Sequence, residues 1–191
     1  TQGEYLDDPK FDPIFRALAD TGQPLYIHPS TPPDRMIGPM LEAGLDSAIF
    51  GFGVETGMHL LRLITKGIFD RYPDLTICVG HMGEALPFWL YRLDFMHQAG
   101  VRAQRHDFLK PLNKTIHGYL RENVMITTSG MAWEPAIKFT MDVLGDDRVM
   151  YAMDYPYQYL AHEVRTHDTL SIGDEAKRKL MQTNAERVFK L

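Results

Sequence analysis

Three apolar runs in this chain end on a histidine or an aspartate, and such endings are where chemistry is first sought. Leu75-Thr-Ile-Cys-Val79 leads through Gly80 to His81, with Glu84 three residues further on. Pro24-Leu-Tyr-Ile closes on His28 and Pro29, and Arg148-Val-Met-Tyr-Ala-Met closes on Asp154, Tyr155 and Pro156. An imidazole with a carboxylate in reach is a candidate acid/base pair. A fourth run, from Asn123, finishes in Thr127, Thr128, Ser129 and Gly130. One polar strand end carries little information, but ends bearing His28, His81 and Asp154 suggest a single site. The carboxyl ends of parallel strands are where (β/α) barrels hold their reacting groups.

The elements that must position these residues follow from periodicity. The apolar runs are β-branched and bounded by Pro, Asp and Gly, as expected of buried parallel strands. Helical spacing is expected over residues 9–20, 56–69, 84–97, 134–144 and 174–190, with Gly145 as a stop. The last of these is expected to bury Leu180, Met181, Val188 and Phe189. Glu84 then falls where a helix begins, and Glu55 and Thr56 fall where they could cap one. Residues 29–55, with Pro29, Pro32, Pro33 and Pro39, read as a long excursion covering the substrate, containing some helix and hinged at Gly51-Phe52-Gly53. A basic, His-containing stretch from Arg102 to His117 leads to the third strand. The alternation of four strands with helices amounts to about half of an eight-fold α/β barrel, in a single domain over residues 1–191.

Composition sets the bounds. With 191 residues and 45% hydrophobic content the chain can bury a core and reads as soluble and globular. A formal charge of -5 without a Lys/Arg cluster argues against nucleic acid or an anionic membrane as partner. The single cysteine, Cys78, sits inside an apolar strand, which excludes a disulfide framework and a Cys-based zinc site and makes a reducing cytoplasm the default setting. No apolar run approaches the roughly 20 residues of a membrane span, and the opening residues lack both a signal-peptide pattern and an initiating Met.

Motifs in order along the chain resemble one family. They are Tyr26-Ile-His28-Pro29, Gly51-Phe-Gly-Val-Glu-Thr56, Phe69-Asp-Arg-Tyr-Pro-Asp-Leu75, Gly80-His-Met-Gly-Glu84-Ala-Leu-Pro-Phe88, Asp154-Tyr-Pro156 and Asn184-Ala-Glu-Arg-Val-Phe189. The set is similar to the amidohydrolase superfamily, in the branch of metal-dependent decarboxylases that includes the γ-resorcylate, 2,3-dihydroxybenzoate and aminocarboxymuconate-semialdehyde enzymes. Leu86-Pro-Phe-Trp-Leu-Tyr-Arg92 looks most like the hydroxybenzoate members. The resemblance implies a (β/α)8 TIM-barrel fold, one divalent metal ion (Zn, Mn or Mg) and a homodimer or homotetramer. It implies that His28 is a metal ligand, that Asp154 is both metal ligand and proton donor, that His81 and Glu84 form the supporting acid/base pair, and that Arg92 contacts the substrate. The family's first-strand ligand motif has no counterpart before Glu4, so the chain is expected to begin after the fourth strand and to cover about the C-terminal half of the barrel. Half a barrel leaves open sheet edges and is expected to be marginal alone.

The activity expected is non-oxidative decarboxylation of a small hydroxylated aromatic acid, chelated through its carboxylate and ortho hydroxyl and protonated on the ring by Asp154. One alternative is a metal-dependent hydrolase of a lactone or amide, since fold alone does not decide. Another is an inactive fragment serving as a binding or oligomerising module. His59, His97, His106, His117, His162 and His167 read as surface or structural, with His162 able to line the pocket, and Tyr155, Tyr157 and Tyr159 as the wall of an aromatic pocket or a subunit contact.

Overall fold

The computed structural model describes residues 3–191. Four parallel strands pair in sequence order: β1 Leu25–Ile27, β2 Ile77–Val79, β3 Val124–Thr127 and β4 Val149–Met150. The register aligns Tyr26 with Cys78 and Met125, and Ile27 with Val79 and Ile126. Successive side chains alternate faces, and the core divides accordingly. Ile27, Ile77, Val79, Val124, Ile126 and Val149 join the large cluster built with the helices, whereas Cys78, Met125 and Met150 pack on the opposite side against Ala185 and Val188. β2 and β3 are buried along their whole length, which is why they read as unbroken apolar runs. β1 and β4 are the two edges of the sheet.

Ten helices accompany the strands among the described residues, beyond short 3-10 turns and one π segment. They are α1 Asp12–Thr21, α2 Asp34–Ala43, α3 Gly51–Thr65, α4 Ile68–Arg71, α5 Leu86–Arg102, α6 Ile116–Asn123, α7 Glu134–Leu144, α8 Ala161–Asp168, α9 Asp174–Arg178 and α10 Asn184–Phe189. The expected helix at 134–144 forms as read, and Gly145 stops it.

Several expectations are corrected. Gly51-Phe52-Gly53 is the first turn of α3 and no hinge, and Glu55 and Thr56 therefore lie inside that helix and do not cap it. α6 was not foreseen; Thr115 opens it by accepting the Gly118 N–H at 3.0 Å. α8 was not foreseen either. The strand expected through Asp154 is paired only over Val149–Met150. The last helix is broken by a π turn at Lys179–Thr183. After it, the buried Asn184 donates to the carbonyls of Asp146 and Val149, both at 2.8 Å, which ties the C-terminal segment under β4. Leu180 is buried as expected, but Phe189 is exposed.

Candidate active site

Beyond β2 the chain does not enter a helix at once. His81, Met82, Gly83, Glu84 and Ala85 all have positive φ, at 50°, 55°, 78°, 52° and 61°, so this is a left-handed turn and α5 starts only at Leu86. Each non-glycine residue in that region costs roughly 1–2 kcal/mol, and such strain persists where the surroundings fix it. The capping role considered for Glu84 is thereby removed. The reason for the turn lies in parity: a strand continuing past Gly80 would leave His81 on the side of Ile77 and Val79, facing the helices. The left-handed path instead turns the imidazole towards Asp154, with Nε2 3.9 Å from Oδ2.

His81 Nδ1 lies 2.7 Å from Glu84 Oε1, and its Nε2 lies 3.9 Å from Asp154 Oδ2. The Glu84 side chain is 6% exposed, against 25% and 23% for His81 and Asp154. The hydrogen bond to Glu84 raises the His81 pKa above its ordinary value, and burial partly opposes it. A carboxylate accepting Nδ1–H sets the tautomer and aims Nε2. The 3.9 Å gap to Asp154 is too long for a hydrogen bond and leaves Nε2 and Oδ2 as a facing pair. Glu84 is seated by α3: a Cβ on Gly53 would come within 2.9 Å of Glu84 Oε2, and one on Gly57 within 3.3 Å of the Glu84 carbonyl oxygen.

Sequence reasoning missed the hydroxyls beneath this pair. Tyr26 Oη and Thr127 Oγ1 are 2.9 Å apart, Thr127 Oγ1 and Ser129 Oγ 3.0 Å, and the His81 backbone N–H donates to Ser129 Oγ at 3.3 Å. Burial raises the Tyr26 phenol above its usual range. The signal was present in Thr127-Thr128-Ser129-Gly130, read only as a polar strand end.

His28 follows β1 and is exposed; its Nδ1 lies 2.9 Å from the Pro29 carbonyl oxygen. Donation to that carbonyl leaves Nε2 as the lone-pair nitrogen, the form a metal ligand requires. His28 makes no hydrogen bond or ion pair to His81, Glu84 or Asp154. Among the described residues no three His, Cys, Asp or Glu side chains gather as a metal-holding group. Taken singly, His28 carries a nitrogen donor and Asp154 an oxygen donor, types suited to Zn or Mn. Arg92 is exposed on α5, on a helix that also exposes Phe88, Trp89, Tyr91 and Phe95. The structure does not bring it against the other predicted residues.

The remaining histidines are structural in two clear cases. His59 accepts the Leu6 N–H at 3.1 Å, and buried His167 packs edge-on against Tyr151. Tyr155, Tyr157 and Tyr159 are all exposed on the loop after Asp154.

A parallel sheet of strand–helix units with His and Asp at the carboxyl ends of the strands is the architecture of a (β/α) barrel with its site at the strand ends. A family model described as Amidohydrolase matches residues 1–191, and the chain belongs to that family. Among solved structures, a 5-carboxyvanillate decarboxylase from Novosphingobium aromaticivorans, complexed with manganese and 4-hydroxy-3-methoxy-5-nitrobenzoic acid, is 71% identical with a TM-score of 0.99. That match covers 100% of this chain and 54% of that one. The 5-carboxyvanillate decarboxylase of Sphingomonas paucimobilis is 41% identical with a TM-score of 0.94, covering 100% and 56%. The γ-resorcylate decarboxylase of Polaromonas sp. is 31% identical over 189 residues, covering 98% of this chain and 56% of the relative. The chain therefore spans about half the length of these relatives, as a partial (β/α)8 barrel. No helix among the described residues is long and apolar enough to cross a membrane.

Proposed function

We propose that this chain carries the Glu84–His81–Asp154 side of the active site of a metal-dependent, non-oxidative decarboxylase acting on a small hydroxylated aromatic acid. The observation that supports this best is an imidazole held by a buried carboxylate on one nitrogen while the other faces Asp154. In this reading His28 and Asp154 would hold one divalent ion, which would supply Lewis-acid stabilisation of negative charge on the substrate's carboxylate and phenolic oxygens. Asp154 is the group that delivers a proton to the ring carbon that bears the carboxylate. The bond to the carboxylate then breaks, its electron pair restores the aromatic ring, and carbon dioxide leaves. Asp154, now the carboxylate, faces His81 Nε2, which is the group placed to return the proton. Glu84 keeps the ring in the required tautomer.

Arg92 is assigned to the substrate's carboxylate. The exposed Phe88, Trp89, Tyr91 and Phe95 beside it on α5 favour burial against a second copy in a homodimer or homotetramer. A single domain and a reducing cytoplasmic setting, in keeping with the buried free thiol of Cys78, belong to the same proposal. The test is carbon dioxide release by the manganese-loaded protein from 5-carboxyvanillate and from hydroxybenzoates with an ortho hydroxyl. Release that disappears in Asp154→Asn is expected. Hydrolysis of a lactone or amide without decarboxylation, or full activity in Asp154→Asn, overturns it.

A further inference from the structure

The loop after Asp154 exposes Tyr155, Tyr157 and Tyr159, with Tyr155 and Tyr159 edge-to-face at 5.6 Å. Its shape is fixed from two sides. The Asp154 carbonyl accepts from the backbone N–H groups of Tyr157 and Gln158, at 2.9 and 3.0 Å. At the far end stands Glu163, on α8 and only 6% exposed. Its Oε2 accepts the Leu160 N–H at 3.0 Å, and its Oε1 accepts the side-chain amide of Gln158.

A carboxylate at the third position of a helix commonly reaches back to the first backbone N–H, and Oε2 does this here. Capping does not account for Oε1. That oxygen holds the side chain of the residue whose backbone is bonded to Asp154, so one buried carboxylate is linked through Gln158 to the proton-donor position and through Leu160 to the exit of the aromatic loop. A buried charge costs free energy unless its hydrogen bonds are made, so the carboxylate favours the loop geometry that satisfies both oxygens.

We propose that Glu163 and Gln158 are a pair of positioning residues that set the Tyr155–Tyr159 loop for an aromatic acid held beside Asp154. The substrate side of this rests on the proposed decarboxylase reading; the clamp itself does not. Because the clamp orders the tyrosines before ligand arrives, its loss is felt in binding more than in chemistry.

Two variants test it, Glu163→Gln and Gln158→Ala, the second at a half-buried position where the fold is expected to survive. Equilibrium binding of 4-hydroxy-3-methoxy-5-nitrobenzoic acid to the manganese-loaded protein is expected to weaken about tenfold in each, by the ordering free energy of a few side chains. KM rises in parallel while kcat stays within roughly threefold, a split that general destabilisation does not produce. Chymotrypsin cleavage after Tyr157 and Tyr159, measured without ligand, accelerates in both variants, and the double variant is no faster than the faster single one. Unchanged cleavage and unchanged affinity in Gln158→Ala overturn the clamp. Failure of the wild-type protein to bind the acid sinks the decarboxylase reading and the substrate role with it, while the cleavage rates still judge the clamp alone.

Discussion

Gly83 stands in the middle of the left-handed turn that delivers His81 to Asp154, and replacing it with alanine tests why the turn exists. Its φ of 78° is one an alanine adopts only at a cost of roughly 1–2 kcal/mol. A Cβ there would also lie 2.7 Å from Ile126 Cδ1 and 3.1 Å from Pro87 Cδ. Ile126 is fully buried on β3, so moving it aside disturbs packed neighbours and overpacking of about 1–3 kcal/mol is added. The expected loss for Gly83→Ala is therefore about 2–5 kcal/mol, seen as a lowered midpoint in urea at unchanged slope. Ile126→Val removes the contacting methyl and alone costs about 0.5–1.5 kcal/mol. In the double variant the two losses should fall short of their sum by at least about 1 kcal/mol, while the φ penalty stays. A Gly83→Ala loss below about 0.5 kcal/mol, or strict additivity with Ile126→Val, would refute the argument that strain and contact both lock this turn.

Other consequences are equally direct. Glu84→Gln keeps the shape but removes the charge that holds His81, so kcat should fall by roughly 10²-fold or more with KM little changed; an unaltered kcat would make Glu84 a structural residue. Gly53→Ala places a methyl 2.9 Å from Glu84 Oε2 and should lower kcat in the same direction as Glu84→Gln while α3 stays helical by circular dichroism. His28→Ala should weaken manganese binding by more than the roughly 10- to 100-fold that loss of a supporting hydrogen bond costs, as read by metal retained after dialysis. His59, pushed down to about 4 by burial, stays neutral when folded while the unfolded imidazole protonates near 6.5. Stability is thus full above 6.5 and drains as pH falls towards 4, by on the order of 1–2 kcal/mol once partial exposure is allowed for. His59→Gln, which keeps an acceptor for the Leu6 N–H, should flatten that slope in urea titrations at pH 7.5 and 5.

What could be read from the residues and what could not divide along a physical line. Strands buried on both faces are forced to be largely apolar, so Ile77–Val79 and Val124–Ile126 announce themselves, and the polar residues that follow mark the end of the sheet where chemistry collects. α7 was equally legible, because its apolar spacing and Gly145 at the stop agree. The left-handed turn was not, since Met82, Glu84 and Ala85 carry no local preference for positive φ. Their conformation is imposed by Ile126 from β3 and by the seat that Gly53 and Gly57 make in α3. Gly51 and Gly53 misled at the start of α3: glycines flanking Phe52 read as a hinge by propensity, yet a Cβ on Gly51 would meet the Asp46 backbone at 2.5 Å and one on Gly53 would meet Glu84 Oε2 at 2.9 Å.

That distinction also explains why Glu163 passed unnoticed while Glu84 did not. Glu84 follows a histidine at a spacing that suggests chemistry within a single segment. Glu163 acts across a loop whose path depends on Asp154 at φ 73° and on the carbonyl that receives Tyr157 and Gln158. Its second partner, the Gln158 side chain, is five residues away on a non-helical path, a separation that carries no periodic signal. Residues that react therefore stand out in the chain by type and strand position, whereas residues that hold them are visible only once the backbone shows which atoms are left to be satisfied. If Glu163 and Gln158 act as argued, exchanging Tyr155, Tyr157 and Tyr159 for a relative's residues should fail to transfer ligand preference unless residues 158 and 163 move with them. Transfer by the tyrosines alone would show that the loop needs no clamp.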